Sequence, residues 1–402
     1  MAREGRPVRV LQSFPHRIGA ARICTTAWHQ AAGAVEAGAD VLVMPGSVHR
    51  PLPAAVQVRP TLAFGKVRIP YRTLGRARAL ALHDRIVARA LPRLAPDIDV
   101  VHVWPQGALQ TLRAARRLGL PTVLERPNAH TRFAYEVVRA ECERLGVPLP
   151  ADHEHAYNAE ILRHEEEEFA LADRLLCPSD FVMRTFLDDG FPREKLMRHR
   201  YGYDPTRFFA ASAPRPEGAA LTVLFVGVAA VRKGVHFALE AWLRSPASAQ
   251  GRLLIAGDFL PEYAQKLAPM LAHPSVEVLG HRSDVPELMR ASDALVLPSI
   301  EEGSALVTSE ALASGCVPVV SDAAGALCQH GVDGLVHRAG DVETLTAHLT
   351  ALHQDASLLA RLREGCARTA PQLTWAGAGA RLVQVYEEVA AEWGAGTQSR
   401  AA

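Results

Sequence analysis

The sequence predicts an α/β protein built from two doubly wound, parallel-sheet domains facing a central cleft. Three observations carry this. Short apolar runs bounded by Gly or Pro alternate with longer helical stretches, the pattern of repeated βαβ units. The segment Ala210–Ala220, AASAPRPEGAA, has no periodicity and leads into a fresh strand. The chain has 402 residues, a length for two or three domains with their own cores.

In the first half, Val8–Leu11, Asp40–Met44, Val100–Val103, Thr122–Leu124 and Arg174–Cys177 read as strands. Their near-continuous apolar character suits sheets covered by helices on both faces. Thr73–Arg93 and Asn158–Ala172 read as helices between them. In the second half the strands are Thr222–Val226, Arg252–Ala256, Val276–Leu279, Ala294–Leu297 and Val317–Val320, with helices at His236–Arg244 and Leu306–Ser314. A last helix, about 376–393, follows a break at Pro371 and is expected to pack back on the first domain. The domains are then 1–210 and 218–375, and ligands are expected at the carboxyl ends of their strands.

The net charge of +1 argues against a general nucleic-acid binder. The total conceals a split: residues 1–210 hold 30 basic and 23 acidic side chains, and residues 211–402 hold 14 and 20. Six scattered cysteines, with no C-x-x-C pair, read as reduced thiols of a cytoplasmic protein. No apolar run is long enough to span a membrane.

The most informative segment is LPSIEEGSALVTSEALASGCVPVVSD, residues 297–322. A strand gives way to a loop with Glu301, Glu302 and Gly303, then to a helix carrying Glu310. The N–H groups of Gly303, Ser304, Ala305 and Leu306 are expected to be free for a phosphate or sugar oxygen. A carboxylate such as Glu310 can accept hydrogen bonds from both hydroxyls of a ribose. In LFVGVAAVRKGVHFALEA, residues 224–241, Arg232 and Lys233 stand at a strand-to-helix turn, placed to neutralise a diphosphate. Only four of the 44 basic residues are lysines, so a lysine here is informative.

These segments, with LLIAGDF, VEVLGHRSDVPELMRASDALVLPS and HGVDGLVHRAGD, resemble the retaining GT-B glycosyltransferases of the family 4 type, glycosyl transferases group 1. The resemblance implies a GT-B fold and a nucleotide-diphospho-sugar donor, with a UDP-sugar favoured, and a hydroxyl acceptor. It implies no metal and no cofactor besides the donor. Glu302 would meet the donor sugar, Glu310 the ribose, and Arg232 and Lys233 the diphosphate. The backbone of 303–306 would hold sugar and phosphate oxygens, and Arg282 would stand by the base. Where the family often has Phe-Gly after Glu-Gly, this chain has Ser304 and Ala305; Val228 stands where many members have Arg.

In the first half, PHRIGAAR, residues 15–22, takes the place of the family's Gly-rich loop, with Gly19 as its one glycine. In TVLERPNAH, residues 122–130, His130 is the candidate for the family's histidine near the reaction centre. Residues 59–93 hold nine basic side chains, Arg72, Arg76, Arg78, Arg85, Arg89 and Arg93 among them, and one acidic, Asp84. This run reads as a solvated helix face, or as a surface for anionic lipid at the inner face of the membrane or for an anionic acceptor. Glu165–Glu168 is expected to face solvent, and nearby His153, His155 and His164 lack the spacing of a metal site. Alternatives to a transferase are a GT-B sugar-nucleotide epimerase and a silent binding protein. A dinucleotide-dependent oxidoreductase is disfavoured because neither leading strand is followed by G-x-G-x-x-G.

Overall fold

The structure is a computed structural model that describes residues 6–65, 67–69, 74–211 and 218–401. Arg72 of the basic run, and residues 212–217 between the halves, lie outside the described residues. The N-terminal sheet comprises β1 (Arg9–Ile18), β2 (Asp40–Val48), β3 (Gln57–Val58), β6 (Val100–Val103), β7 (Thr122–Glu125), β8 (Arg174–Cys177) and β9 (Leu196–Arg198). They are ordered β3-β2-β1-β6-β7-β8-β9 and run parallel. A small antiparallel pair, β4 (Ala63–Phe64) and β5 (Val67–Arg68), stands apart. The second sheet holds β10 (Thr222–Val226), β11 (Arg252–Ala256), β12 (Val276–Gly280), β13 (Ala294–Leu297), β14 (Val317–Ser321) and β15 (Leu335–His337), in parallel order β12-β11-β10-β13-β14-β15.

The N-terminal sheet is covered by α1 (Ile23–Glu36), α2 (Arg76–Leu94) and α3 (Leu109–Leu118); α4 (Thr131–Leu145) instead sets Val138 and Cys142 into the core of the second domain, and α5 (Ala159–Leu171) and α6 (Asp180–Asp188) complete the cover. The second is covered by α7 (Val235–Arg244), α8 (Pro261–Leu271), α9 (Val285–Arg290), α10 (Leu306–Ala313), α11 (Val342–Gln354) and α12 (Ala356–Thr369). The last helix, α13 (Trp375–Ala401), returns to the first domain. Its Leu382, Val385, Tyr386 and Val389 join the core formed by α1, β1 and β2. The Tyr386 hydroxyl accepts from Gln12 Nε2 at 3.1 Å and lies 2.7 Å from His102 Nδ1. Beside it Glu125 is fully buried, accepting from Gln30 and Tyr201 and facing His199. Burial favours the neutral acid, but His199 and His102 outweigh it and hold Glu125 below the usual carboxylate range.

Three local expectations change. β1 runs on through Pro15–Ile18, so half of the expected Gly-rich loop is strand, with a register shift between Phe14 and Arg17 that accommodates the proline. The run Glu165–Glu168 does not face solvent as a whole. Glu165 and Glu168 are buried: Glu165 pairs with Arg126 at 3.3 Å, and Glu168 accepts the N–H groups of Gln106 and Ala108. Only Glu166 and Glu167 turn outward, to Arg132 and Arg113. The basic run is asymmetric: on α2, Arg76, Arg78, Arg85, Arg89 and Arg93 are exposed, while Asp84 is buried and accepts the N–H groups of Gln110 and Thr111.

Candidate active site

In the second sheet the strand order reverses at β10, whose neighbours β11 and β13 lead off in opposite directions. Such a switch point opens a crevice beyond the carboxyl ends of the strands, where ligands of doubly wound folds bind. The loops that leave it are 227–234 and 298–305. They carry Arg232, Lys233, Glu302 and Gly303.

Close backbone packing draws these loops together. Gly234, at φ +68, begins α7 where a Cβ would sit 2.0 Å from the Pro298 carbonyl oxygen. The Ile300 N–H donates to the Arg232 carbonyl at 2.9 Å. Arg232 Nη1 then donates to the Glu301 carbonyl at 2.9 Å and lies 3.0 Å from Glu302 Oε2. The Lys233 ammonium pairs with Glu302 Oε1. Burial would raise the Glu302 carboxyl, but Arg232 and Lys233 outweigh it and hold the acid ionised below its ordinary range. The Glu302 carboxylate, with that of Glu301, pushes the Arg232 guanidinium further into its charged form against the cost of burial.

Glu310 lies on α10, and its carboxylate takes no hydrogen bond from the described residues. Burial pushes it up to about 7, with Arg207 opposing. The helix start is less open than expected: the Ala305 N–H donates to the Ala324 carbonyl at 3.2 Å. The N–H groups of Gly303, Ser304 and Leu306 have no partner among the described bonds.

The two domains meet at this loop. A Cβ on Gly303 would lie 1.5 Å from the Pro127 carbonyl oxygen. Its own carbonyl accepts from Ser179 Oγ at 2.5 Å. Glu301 Oε1 accepts the Ala129 N–H at 3.2 Å, and His155 Nε2 lies 3.3 Å from Glu301 Oε2. Glu301 and His155 were no part of the expected site. Glu301 borders the motif, but nothing in a linear reading links it to a histidine far upstream.

Three expected site residues have other protein partners. His130 is fully buried among Phe169, Phe186 and Phe191. It caps α4, with Nδ1 accepting the Arg132 N–H and Nε2 3.4 Å from Asp189. Burial lowers its pKa to about 4, so the ring is neutral and acts in capping and packing, not as a group presented to the cleft. Gly19, at φ +78, turns the chain after β1, where a Cβ would meet Arg50 Cβ at 2.6 Å; its space is filled by protein. Arg282 is exposed beyond β12, the edge strand, and is held by Asp284. Among the described residues no group of three or more His, Cys, Asp and Glu is arranged to hold a metal ion.

Residues 220–355 match the family glycosyl transferases group 1. The chain is 28% identical to a D-inositol 3-phosphate glycosyltransferase of Thermobispora bispora, over 87% of this chain and 86% of that one. It is 29% identical to a GDP-mannose-dependent alpha-mannosyltransferase of Mycobacterium tuberculosis, over 71% and 79%. Its fold is similar to that of Anabaena HepE in complex with UDP, with TM-score 0.63 and 18% identity over 95% of this chain and all of that one. Sucrose-phosphate synthase from Thermosynechococcus elongatus superposes with TM-score 0.66 at 16% identity, over 96% of this chain and all of that one. Residues 220–355 are of the group 1 type, and the chain is a nucleotide-sugar-dependent glycosyltransferase with the GT-B fold.

Proposed function

We propose that the protein transfers a sugar from a UDP-sugar to a hydroxyl of an anionic acceptor with retained anomeric configuration, without a metal ion. The observation that carries this reading is the Arg232–Lys233 pair at the switch point, facing Glu302 beside the N-terminal domain's loop at 127–129. A donor diphosphate would take up the charge of both cations, leaving Glu302 to hold sugar hydroxyls and Glu310 the ribose. The acceptor oxygen attacks from the face the leaving group occupies. The bond from the anomeric carbon to the acceptor forms as its bond to phosphate breaks, and the acceptor proton passes to the departing diphosphate. Arg232 and Lys233 stabilise the charge growing there. Closure of the two domains excludes the water that would hydrolyse the donor.

UDP is the nucleotide in the HepE complex, while the mannosyltransferase relative uses GDP-mannose. An anionic acceptor is supported by the first domain's excess of basic residues, and by the phosphate in the name of the inositol-phosphate relative. The Arg-only outer face of α2 would also draw the protein to anionic lipid. Co-sedimentation with phosphatidylglycerol vesicles, and not with phosphatidylcholine vesicles, tests that part. Incubation with UDP-sugars and phosphorylated polyols, with products read by NMR, tests the reaction. An α-linked donor giving an α-linked product supports the reading. A β-linked product, or donor epimerised without acceptor, refutes it.

A further inference from the structure

Glu301 has no part in the scheme above, yet it is a carboxylate on which both domains converge. It is fully buried. From the N-terminal domain it receives the Ala129 N–H on Oε1 and His155 Nε2 beside Oε2. From its own domain it receives Arg232 Nη1, 3.3 Å from Oε2. A buried carboxylate is costly unless paired and hydrogen-bonded, and two of these three partners are present only when the domains are together. Burial would raise the acid, but His155 and Arg232 hold it down at about 2. The described contacts of Arg232 to Glu301 and Glu302 all run through Nη1. One end of the guanidinium is thereby fixed, and the Nε–Nη2 edge is left for another ligand.

We propose that Glu301 is a positioning residue that couples domain closure to the orientation of Arg232. The N-terminal domain, through Ala129 and His155, fixes the carboxylate, and the carboxylate fixes the guanidinium that grips the leaving diphosphate. The coupling to turnover rests on the role proposed above for Arg232; the latch itself does not. It makes the cation pair fully ordered only when water is excluded, which favours transfer over donor hydrolysis.

The test uses Glu301→Gln, Glu301→Ala, His155→Ala and the double Ala variant, each checked for a folded state by thermal unfolding. Hydrogen exchange of the unliganded proteins reads the latch. Exchange at residues 127–131 is expected to quicken at least about tenfold in Glu301→Ala, as for a lost local closure. Transfer kinetics read the coupling: kcat should fall on the order of 10²-fold, the scale of a misplaced group, with the donor KM nearly unchanged. Glu301→Gln keeps an acceptor for Ala129 and should recover part of the loss; it carries the test if the Ala variant fails to fold. The double variant should be no worse than the more impaired single variant, within about twofold. Unchanged exchange, independent losses that multiply, or a KM effect at constant kcat would overturn the proposal. Calorimetry with UDP separates the two readings. A wild-type protein that binds no UDP would defeat the UDP-sugar reading, while the exchange result would still decide the latch.

Discussion

Replacing Gly303 by Ala is a small change with a large expected effect. The new Cβ would stand 1.5 Å from the Pro127 carbonyl oxygen, 2.4 Å from its carbon and 3.0 Å from the Asn128 nitrogen. Real Cβ atoms essentially never come within 3.0 Å of such neighbours. The obstacle is backbone, so no rotamer relieves it, and packed interiors yield little. The loops must part by roughly 1.5 Å, and misplacement by about 1 Å already costs on the order of 10²-fold in rate. The same movement loosens the Ala129–Glu301 hydrogen bond at 3.2 Å and the Ser179–Gly303 bond at 2.5 Å. Arg232 and Lys233 lie on the other loop of the second domain, so nucleotide binding should survive. Steady-state transfer kinetics, with UDP titrated by calorimetry, should show kcat down at least about 10²-fold and UDP affinity within about threefold of wild type. Hydrolysis of donor relative to transfer should rise as water enters. Wild-type kcat in this variant would refute the close approach as a feature of the working enzyme. A parallel loss of UDP affinity would show that Gly303 serves the nucleotide site instead.

Lys233→Ala should lower kcat by about 10²–10³-fold, as expected for removing a charge that stabilises a leaving group. Glu302 keeps Arg232 at 3.0 Å, so thermal unfolding should be little changed; a folded variant with normal kcat would remove Lys233 from the mechanism. Glu310→Gln tests the raised acid. The native group stays protonated up to about 7 while the unfolded chain ionises near 4.5, so wild-type stability falls across that window as pH rises. The variant's advantage in melting temperature should therefore grow from pH 4.5 to about 7 and then level off, and a pH-independent difference would contradict the assignment. Tyr386→Phe removes the hydroxyl shared by Gln12 and His102 beneath α13. Leaving buried polar atoms unpaired costs about 1–3 kcal/mol, so the urea midpoint should drop; an unchanged midpoint would show that the network does not secure the helix.

The strands were the most legible part of the fold, because parallel strands buried on both faces are apolar throughout. Val100–Val103, Arg174–Cys177, Thr222–Val226, Arg252–Ala256 and Ala294–Leu297 have the expected limits. β1 and β2 run longer than expected, since the polar pair Gln12–Ser13 follows the first apolar run and Pro45–Gly46 follows the second. In the structure Pro15 lies at a register shift, with Gly46 against its carbonyl oxygen. β9 and β15 have three residues each, too few to show a pattern. The expected helix 158–172 differs only at its ends, where Asn158 caps the start and Ala172 the finish. In the site, Glu302, Arg232 and Lys233 were legible because one strand-to-helix turn fixes each group locally. His130 was placed by its position after β7, but backbone position does not say where a ring points, and three phenylalanines enclose it. Glu165 and Glu168 look solvated in a run of four acids, yet helical spacing sets both on the inner face of α5. Glu301 with His155 is a tertiary contact between domains and leaves no periodic trace.

The central claim is that Arg232 and Lys233 hold the diphosphate of a nucleotide-sugar donor. Calorimetric titration of uridine, UMP and UDP into the wild type and the Arg232→Ala/Lys233→Ala double variant tests it most directly. Affinity should rise with each phosphate in the wild type, and the gap between UDP and uridine should collapse in the variant. An equal gap in both proteins, or no UDP binding by the wild type, would contradict the claim.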